Sequence, residues 1–176
     1  MANDVSELKK MKKFRFQLLD AYIRENYPVS TIADIGGGKG LLAYLLSEAG
    51  WQATVIDPEY QELSPKYKTL DGKRIKILPD VKVPRISEPF ETEMGKSYDL
   101  LVGLHAHACN RKIIDAASQY GKHFILIPCC IINEGIQPES VTDWIAYLES
   151  YANEKGIQTK RLKLNFKGQR NGIVSC

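Results

Sequence analysis

Residues 32–50 read IADIGGGKGLLAYLLSEAG, with four glycines in five positions: Gly36, Gly37, Gly38 and Gly40. Glycine costs conformational entropy unless the backbone must turn left-handed or come close to something else. The flanks say where the turn sits. STIADI (30–35) is a short, apolar, buried strand, and LLAYLLSEA (41–49) is a helix stopped by Gly50. QATVID (52–57) is a second strand. A strand, a glycine-rich turn, a helix and another strand in so short a span begin a parallel α/β sheet.

The rest of the chain extends this pattern. Residues 4–26 form an amphipathic helix: Leu8, Met11, Phe14, Leu18 and Tyr22 recur at spacings of three and four, Leu19 and Ile23 widen the stripe, and Pro28 ends it. Residues 58–73 are polar, with room for one short helix. RIKIL (74–78) is the expected third strand, and the proline-bearing segment 79–97 is expected as loop. YDLLVGL (98–104) and HFILIP (123–128) are the fourth and fifth strands, separated by a helix over 111–120 that Gly121 ends. Residues 140–156 are a strong helix, with Ser140 as N-cap, Asp143 at the capping-box position and Gly156 as the stop. Residues 159–166 and 171–176 alternate as two strands of a hairpin. No linker or repeat divides the chain. Residues 1–176 are expected to form one domain, with 1–28 as its N-terminal helix and 29–176 as its sheet core.

Composition narrows the class. The chain has 176 residues, 44% hydrophobic and 26% charged, as ordinary globular domains do. No apolar run nears the ~20 residues that span a bilayer. The charged start, MANDVSELKKMKKFRF, lacks an apolar secretion core and suggests a cytoplasmic protein. Cys109, Cys129, Cys130 and Cys176 contain no CxxC and make a poor disulfide or zinc framework, so reduced thiols are expected. The net charge of +3 is modest, but basic residues gather in 9–15 and at Lys155, Lys160, Arg161, Lys163, Lys167 and Arg170. They form either one positive face, if the two ends meet, or two solvated ones.

Three ligands compete for the glycine turn. A phosphate-binding P-loop places a hydroxyl after its lysine, whereas Gly40 and Leu41 follow Lys39 here. In a dinucleotide turn, GxGxxG, Gly36 and Gly38 fit but the third glycine falls one position early, at Gly40. The form Asp34-x-Gly-x-Gly-x-Gly resembles instead the first motif of S-adenosylmethionine (SAM)-dependent methyltransferases. SAM carries an amino acid, a sulfonium and a nucleoside, and no phosphate. Its approach needs a backbone without Cβ, its ammonium needs an acceptor or an acid at the strand end, which Asp34 can help supply, and its ribose suits the carboxylate of Asp57. An acid at Asp57 also serves the ribose of NAD, so the discrimination lies in the glycine spacing and Asp34. Asp80, after the expected third strand, is a candidate for the adenine side, or else an acid in a loop. A tight turn with no ligand is the remaining reading. The element order matches the same family, whose class I members have a Rossmann-like α/β fold. The expectation is a mostly parallel seven-stranded sheet with a C-terminal antiparallel hairpin, here with an extra N-terminal helix.

A second constellation closes the fourth and fifth strands, in LVGLHAHACN (101–110) and LIPCCI (126–131). Ligands of doubly wound sheets lie beyond the carboxyl ends of the strands, so His105, His107, Cys109, Cys129 and Cys130 should gather beside the donor. GLHA-x-A-C and PCC look like a subset of methyltransferases with Gly-Leu-His-Ala-Cys and Pro-Cys-Cys stretches. That subset includes the tRNA uracil-2′-O-methyltransferase family and several methyltransferase-like proteins. The likeness covers about residues 30–135, and this chain's His-Ala-His-Ala-Cys is two residues longer than the subset's pattern. His105 or His107 is the candidate base for a hydroxyl or amine attacking the methyl. Cys109, Asn110, Cys129 and Cys130 are candidate substrate contacts. A cysteine could act as a nucleophile if its pKa were depressed, although cysteines are most often buried packing. Zinc ligation by the cluster is a further option, and the compact spacing argues against it. Asn133 and Glu134 belong to a loop that binds substrate or is simply solvated. His123, at the opposite end of the fifth strand, is expected to be structural.

These readings lead to a SAM-dependent methyltransferase, with RNA, and tRNA in particular, as the acceptor suggested by the resemblance and the basic ends. A small-molecule or protein acceptor is the alternative, favoured if the leading helix closes a small pocket. A non-catalytic module binding SAM or zinc is the third.

Overall fold

The computed structural model describes residues 14–129 and 134–176; residues 4–13 of the expected leading helix, Cys130 and Asn133 lie outside them. The elements in chain order are α1 (Arg15–Asn26), β1 (Thr31–Ile35), α2 (Leu41–Glu48), β2 (Gln52–Ile56), β3 (Lys66–Lys68), β4 (Arg74–Lys76) and β5 (Arg85–Ile86). A 3₁₀ helix (Thr92–Ser97), β6 (Leu100–Leu104), α3 (Asn110–Tyr120), β7 (His123–Ile127), α4 (Val141–Glu154), β8 (Thr159–Lys163) and β9 (Asn171–Ser175) follow.

Seven strands form one sheet in the order β5-β2-β1-β6-β7-β9-β8. The first five are parallel, and β9 runs antiparallel to both β7 and β8. Side chains alternate across a strand, so each central strand feeds two cores. Ile32, Val102 and Ile125 face the layer made with Leu19 and Ile23 of α1 and Leu42 and Leu46 of α2. Ala33, Leu101 and Phe124 face the layer made with Ile113 and Ile114 of α3 and Trp144 and Leu148 of α4. Coverage on both faces explains why these strands read as unbroken apolar runs. At the start of α4, the Asp143 N–H donates to Ser140 Oγ at 3.1 Å, and that hydroxyl donates to Asp143 Oδ2 at 2.6 Å. The cap expected there is present.

The third strand is corrected. Residues 74–76 do not enter the main sheet; β4 pairs antiparallel with β3 in a separate two-stranded sheet. Its pattern explains this: Arg74 and Lys76 are exposed around a half-buried Ile75, suited to one covered face and not two. The strand that completes the sheet is β5, inside the segment expected as loop. Only two residues long, it is held where Val55 N–H donates to Pro84 O (2.9 Å) and Asp57 N–H to Ile86 O (3.1 Å). Two residues show no period, and a preceding proline is tolerated at a sheet edge. Asp80 therefore follows the hairpin and not the sheet's third strand. The β3–β4 hairpin is tied to α1 by Gln17 Nε2 donating to Lys68 O at 2.6 Å.

Candidate active site at the carboxyl end of the sheet

The glycine turn links the end of β1 to α2. Gly36, Gly38 and Gly40 have φ of +67°, +55° and +83°, in the left-handed region. The neighbours explain the glycines one by one. A Cβ on Gly36 would stand 2.9 Å from Ala106 Cβ, one on Gly37 2.5 Å from Asp34 Oδ2, and one on Gly40 3.1 Å from Val55 Cγ2. A Cβ on Gly38 would meet only Gln61 Nε2, at 3.6 Å. Three of the four make room for the protein's own atoms, whereas the space beside Gly38 is bounded by Gln61 at ordinary contact distance. That space is a cavity of about 320 Å³, walled by Arg15 and Phe16 of α1, the turn, Gln61, Leu104 and His105.

Two carboxylates support the turn. Asp34 is 2% exposed. Burial pushes its pKa up to about 7, against a backbone hydrogen bond from Ala43 and the charge of Arg85, with Asp57 adding to the rise. Its Oδ2 has no hydrogen-bond partner among the described residues. Asp57 faces the turn: Gly38 N–H donates to its Oδ2 and Glu59 N–H to its Oδ1, both at 2.9 Å. Each carboxylate oxygen keeps further acceptor capacity. Arg85, which the sequence did not single out, locks this corner. Its guanidinium donates to the carbonyls of Gly38, Gln61 (3.3 Å) and Glu59 (3.4 Å), and lies 5.5 Å from the Tyr60 ring centroid. Asp80 is exposed in the turn where Val81 N–H donates to Leu78 O.

The loop after β6 separates the two histidines. His105 extends the sheet, donating its N–H to Ile127 O at 2.8 Å, and has φ +56°. Its Nε2 lies 2.7 Å from Gln169 O. A carbonyl only accepts, so Nε2 carries a proton. The ring meets Phe166 edge-on, with centroids 6.1 Å apart. Gln169, also missed from the sequence, donates through Nε2 to Pro128 O (2.8 Å) and Asn171 O (2.7 Å). It thus pins the β8–β9 connection to the ends of β6 and β7. His107 is exposed, and its Nε2 stands 3.2 Å from Cys129 Sγ.

Cys109 and Asn110, the candidate substrate contacts at the end of this loop, are both buried. Burial, with help from Glu134, pushes the Cys109 thiol up to about 12. Asn110 N–H and Nδ2 donate to Glu134 Oε1 at 2.7 and 3.0 Å, and Arg111 N–H to Oε2 at 3.3 Å. Glu134, itself 6% exposed, caps the start of α3 where the helix dipole favours a negative charge. It is buried rather than solvated. Among the described residues, no three His, Cys, Asp or Glu side chains converge as a metal site. His123 is placed as expected, 3.4 Å from Ser175 Oγ and edge-on to Tyr27.

The basic residues divide between the two ends of the sheet. Lys160 borders a cavity of about 480 Å³ at the far end, with Tyr27, Asp99 and His123. Arg161 pairs with Glu149 at 2.6 Å. Lys163 and Lys167 are exposed at the end that holds the glycine turn, with Arg170 beside them. Residues 9–13 of the N-terminal cluster lie outside the described residues.

No family model matches the chain, and no curated protein matches its sequence. Among solved structures it is similar to CalO1, a methyltransferase in calicheamicin biosynthesis, in its SAH-bound form. The TM-score is 0.52 at 16% identity, over 92% of this chain and 52% of that one. The mitomycin 7-O-methyltransferase MmcR gives a TM-score of 0.47 at 13% identity, over 92% and 52%. The chain spans about half the length of either. The likeness to CalO1, together with the strand order and the antiparallel β8–β9 pair, defines the Rossmann-like fold of class I methyltransferases.

Proposed function

We propose that the chain is a SAM-dependent methyltransferase whose donor lies over the glycine turn. The observation that carries this reading is the orphaned, buried Asp34 Oδ2 packed against Gly37, next to a Gly38 that opens on a cavity. A buried acid with one unpartnered oxygen is costly, and a cation beside it would relieve that cost. Asp34 would attract the cationic amino end of the donor. Asp57, held by Gly38 and Glu59, would take the ribose hydroxyls on its remaining lone pairs. Bound SAM supplies a methyl already activated on a sulfonium, so the protein's task is mainly alignment. Phe16 and Leu104 give the cavity part of its apolar wall. His105 Nε2 is held by Gln169 O, whereas Nε2 of His107 shares its contact with Cys129.

The first turn of α1 walls the cavity through Arg15 and Phe16, which favours a small-molecule acceptor. That CalO1 is a methyltransferase in calicheamicin biosynthesis agrees with this choice. A second reading, an RNA acceptor, is supported by Lys163, Lys167 and Arg170 at the same end of the sheet.

Calorimetric titration with S-adenosylhomocysteine (SAH) tests the donor site without needing the acceptor. One site per chain is expected, with affinity at least about tenfold weaker in Asp57→Ala, as for a lost charge-assisted hydrogen bond. Absence of binding to the wild-type protein would end the reading. Labelled methyl transfer then chooses between a small-molecule extract and total RNA.

A further inference from the structure

His107 and Cys129 reach each other from the ends of different strands, with Nε2 3.2 Å from Sγ. Cys129 is in no disulfide and is half-buried, so reagents can reach it. A third element brings a cation. Arg15, at the start of α1, lines the donor cavity, and its Nε has no hydrogen-bond partner among the described residues. Burial lowers the pKa of Arg15 while the charge of a Cys129 thiolate raises it, so the two groups interact electrostatically. By linkage the guanidinium favours the ionised sulfur in return. A thiol next to an imidazole can pass its proton to the ring, and a neighbouring cation stabilises the thiolate left behind. The other described cysteines lack this setting. Cys109 is buried with its thiol pushed up to about 12, and Cys176 is exposed at the far end of the sheet beside Tyr27 and Lys160.

We propose that Cys129 is a nucleophilic thiolate, paired with His107, that forms a covalent bond with an electrophilic carbon presented at the carboxyl ends of β6 and β7. In the step, the Sγ proton moves to His107 Nε2 and the sulfur electron pair forms an S–C bond. Either the leaving group departs with the bonding pair of that carbon, or the pair of a polarised double bond moves to its neighbouring atom. The first case fits the methyl of SAM, with SAH as the leaving group; the second fits an electron-poor acceptor. Only the choice of electrophile rests on the donor reading above.

Iodoacetamide offers such a carbon, loses iodide, and needs neither donor nor acceptor. Peptide mass mapping separates Cys129 from its neighbours. At about pH 6.5, Cys129 should be alkylated about tenfold faster than Cys176, and its rate should level off below the ordinary thiol range. His107→Ala, at an exposed position that the fold tolerates, should bring the rate down to that of Cys176. Arg15→Ala should slow it, and Arg15→Lys should restore most of it. Equal rates at Cys129 and Cys176, or a Cys129 rate indifferent to His107→Ala, would overturn the proposal. Incubation with SAM alone decides the source. A gain of one methyl mass on Cys129 assigns the donor's carbon. An unchanged mass in protein that still reacts with iodoacetamide assigns the acceptor's. SAH calorimetry reports on the donor site separately, so a failure there leaves the alkylation result standing.

Discussion

Asp34 combines burial, an unpartnered oxygen and a pKa raised to about 7. Because the folded-state pKa lies above the unfolded one, the folded protein holds a proton that the unfolded chain has released between about pH 4 and pH 7. Stability from this group is therefore full below about pH 4, falls as pH rises to about 7, and is level beyond. The loss is on the order of a few kcal/mol. Asp34→Asn should flatten that slope, which melting curves across the range would show. A cation bound beside Asp34 favours the carboxylate, so donor binding should tighten as pH climbs from about 6 to 8 and release a proton at the lower end. Titrations in buffers of different ionisation enthalpy measure that proton directly; pH-independent binding would place the cation elsewhere. Arg15 shows the opposite situation, in which a residue counted among a basic run by sequence turns out to wall a cavity.

At the scale of elements, short pieces matter more than their length suggests. β5 has two residues, yet it carries Arg85, whose guanidinium gathers carbonyls from the glycine turn and from the segment after β2. Arg85→Ala releases those carbonyls. It should lower stability by about 1–3 kcal/mol and weaken SAH binding about tenfold at a temperature where the variant is fully folded. Lysine, with one point of charge, should not restore the affinity. Stability lost with affinity unchanged would make Arg85 a purely structural clamp. The contrast with β1, β2, β6 and β7 explains what the sequence disclosed. Those strands are covered on both faces and show continuous apolar runs, and the turn between β1 and α2 announces itself by glycine spacing. β5 offers no run to read, and β4 offered a misleading one. The site divides the same way. Asp34 and Asp57 sit at fixed steps from the turn and are legible. Arg85, Gln169 and Arg15 acquire their roles only from tertiary position, and nothing local marks them.

Across the whole molecule, the sheet is continuous only because β9 fits tightly between β7 and β8. Gly172 makes that fit possible, since a Cβ there would collide with the carbonyl oxygen of Leu126 and crowd Ile127. Gly172→Ala should cost about 3 kcal/mol or more, read by urea denaturation. It should also disturb the cavity end, because Gln169 hangs from the same connection. A variant as stable as the wild type would mean that β7 and β9 can part without penalty. The division of basic residues is a property of this scale too: composition counts them together, whereas the sheet sends Lys160 to one end and Lys163 and Lys167 to the other.

The strand order has a consequence for synthesis. Since β9 lies between β7 and β8, a nascent chain paused on the ribosome after Lys163 would display β8 with no neighbour to join. His105 would likewise wait for the carbonyl of Gln169. The pocket is thus finished last, and a product terminated early would offer chaperones a bare strand where the mature protein offers a seam.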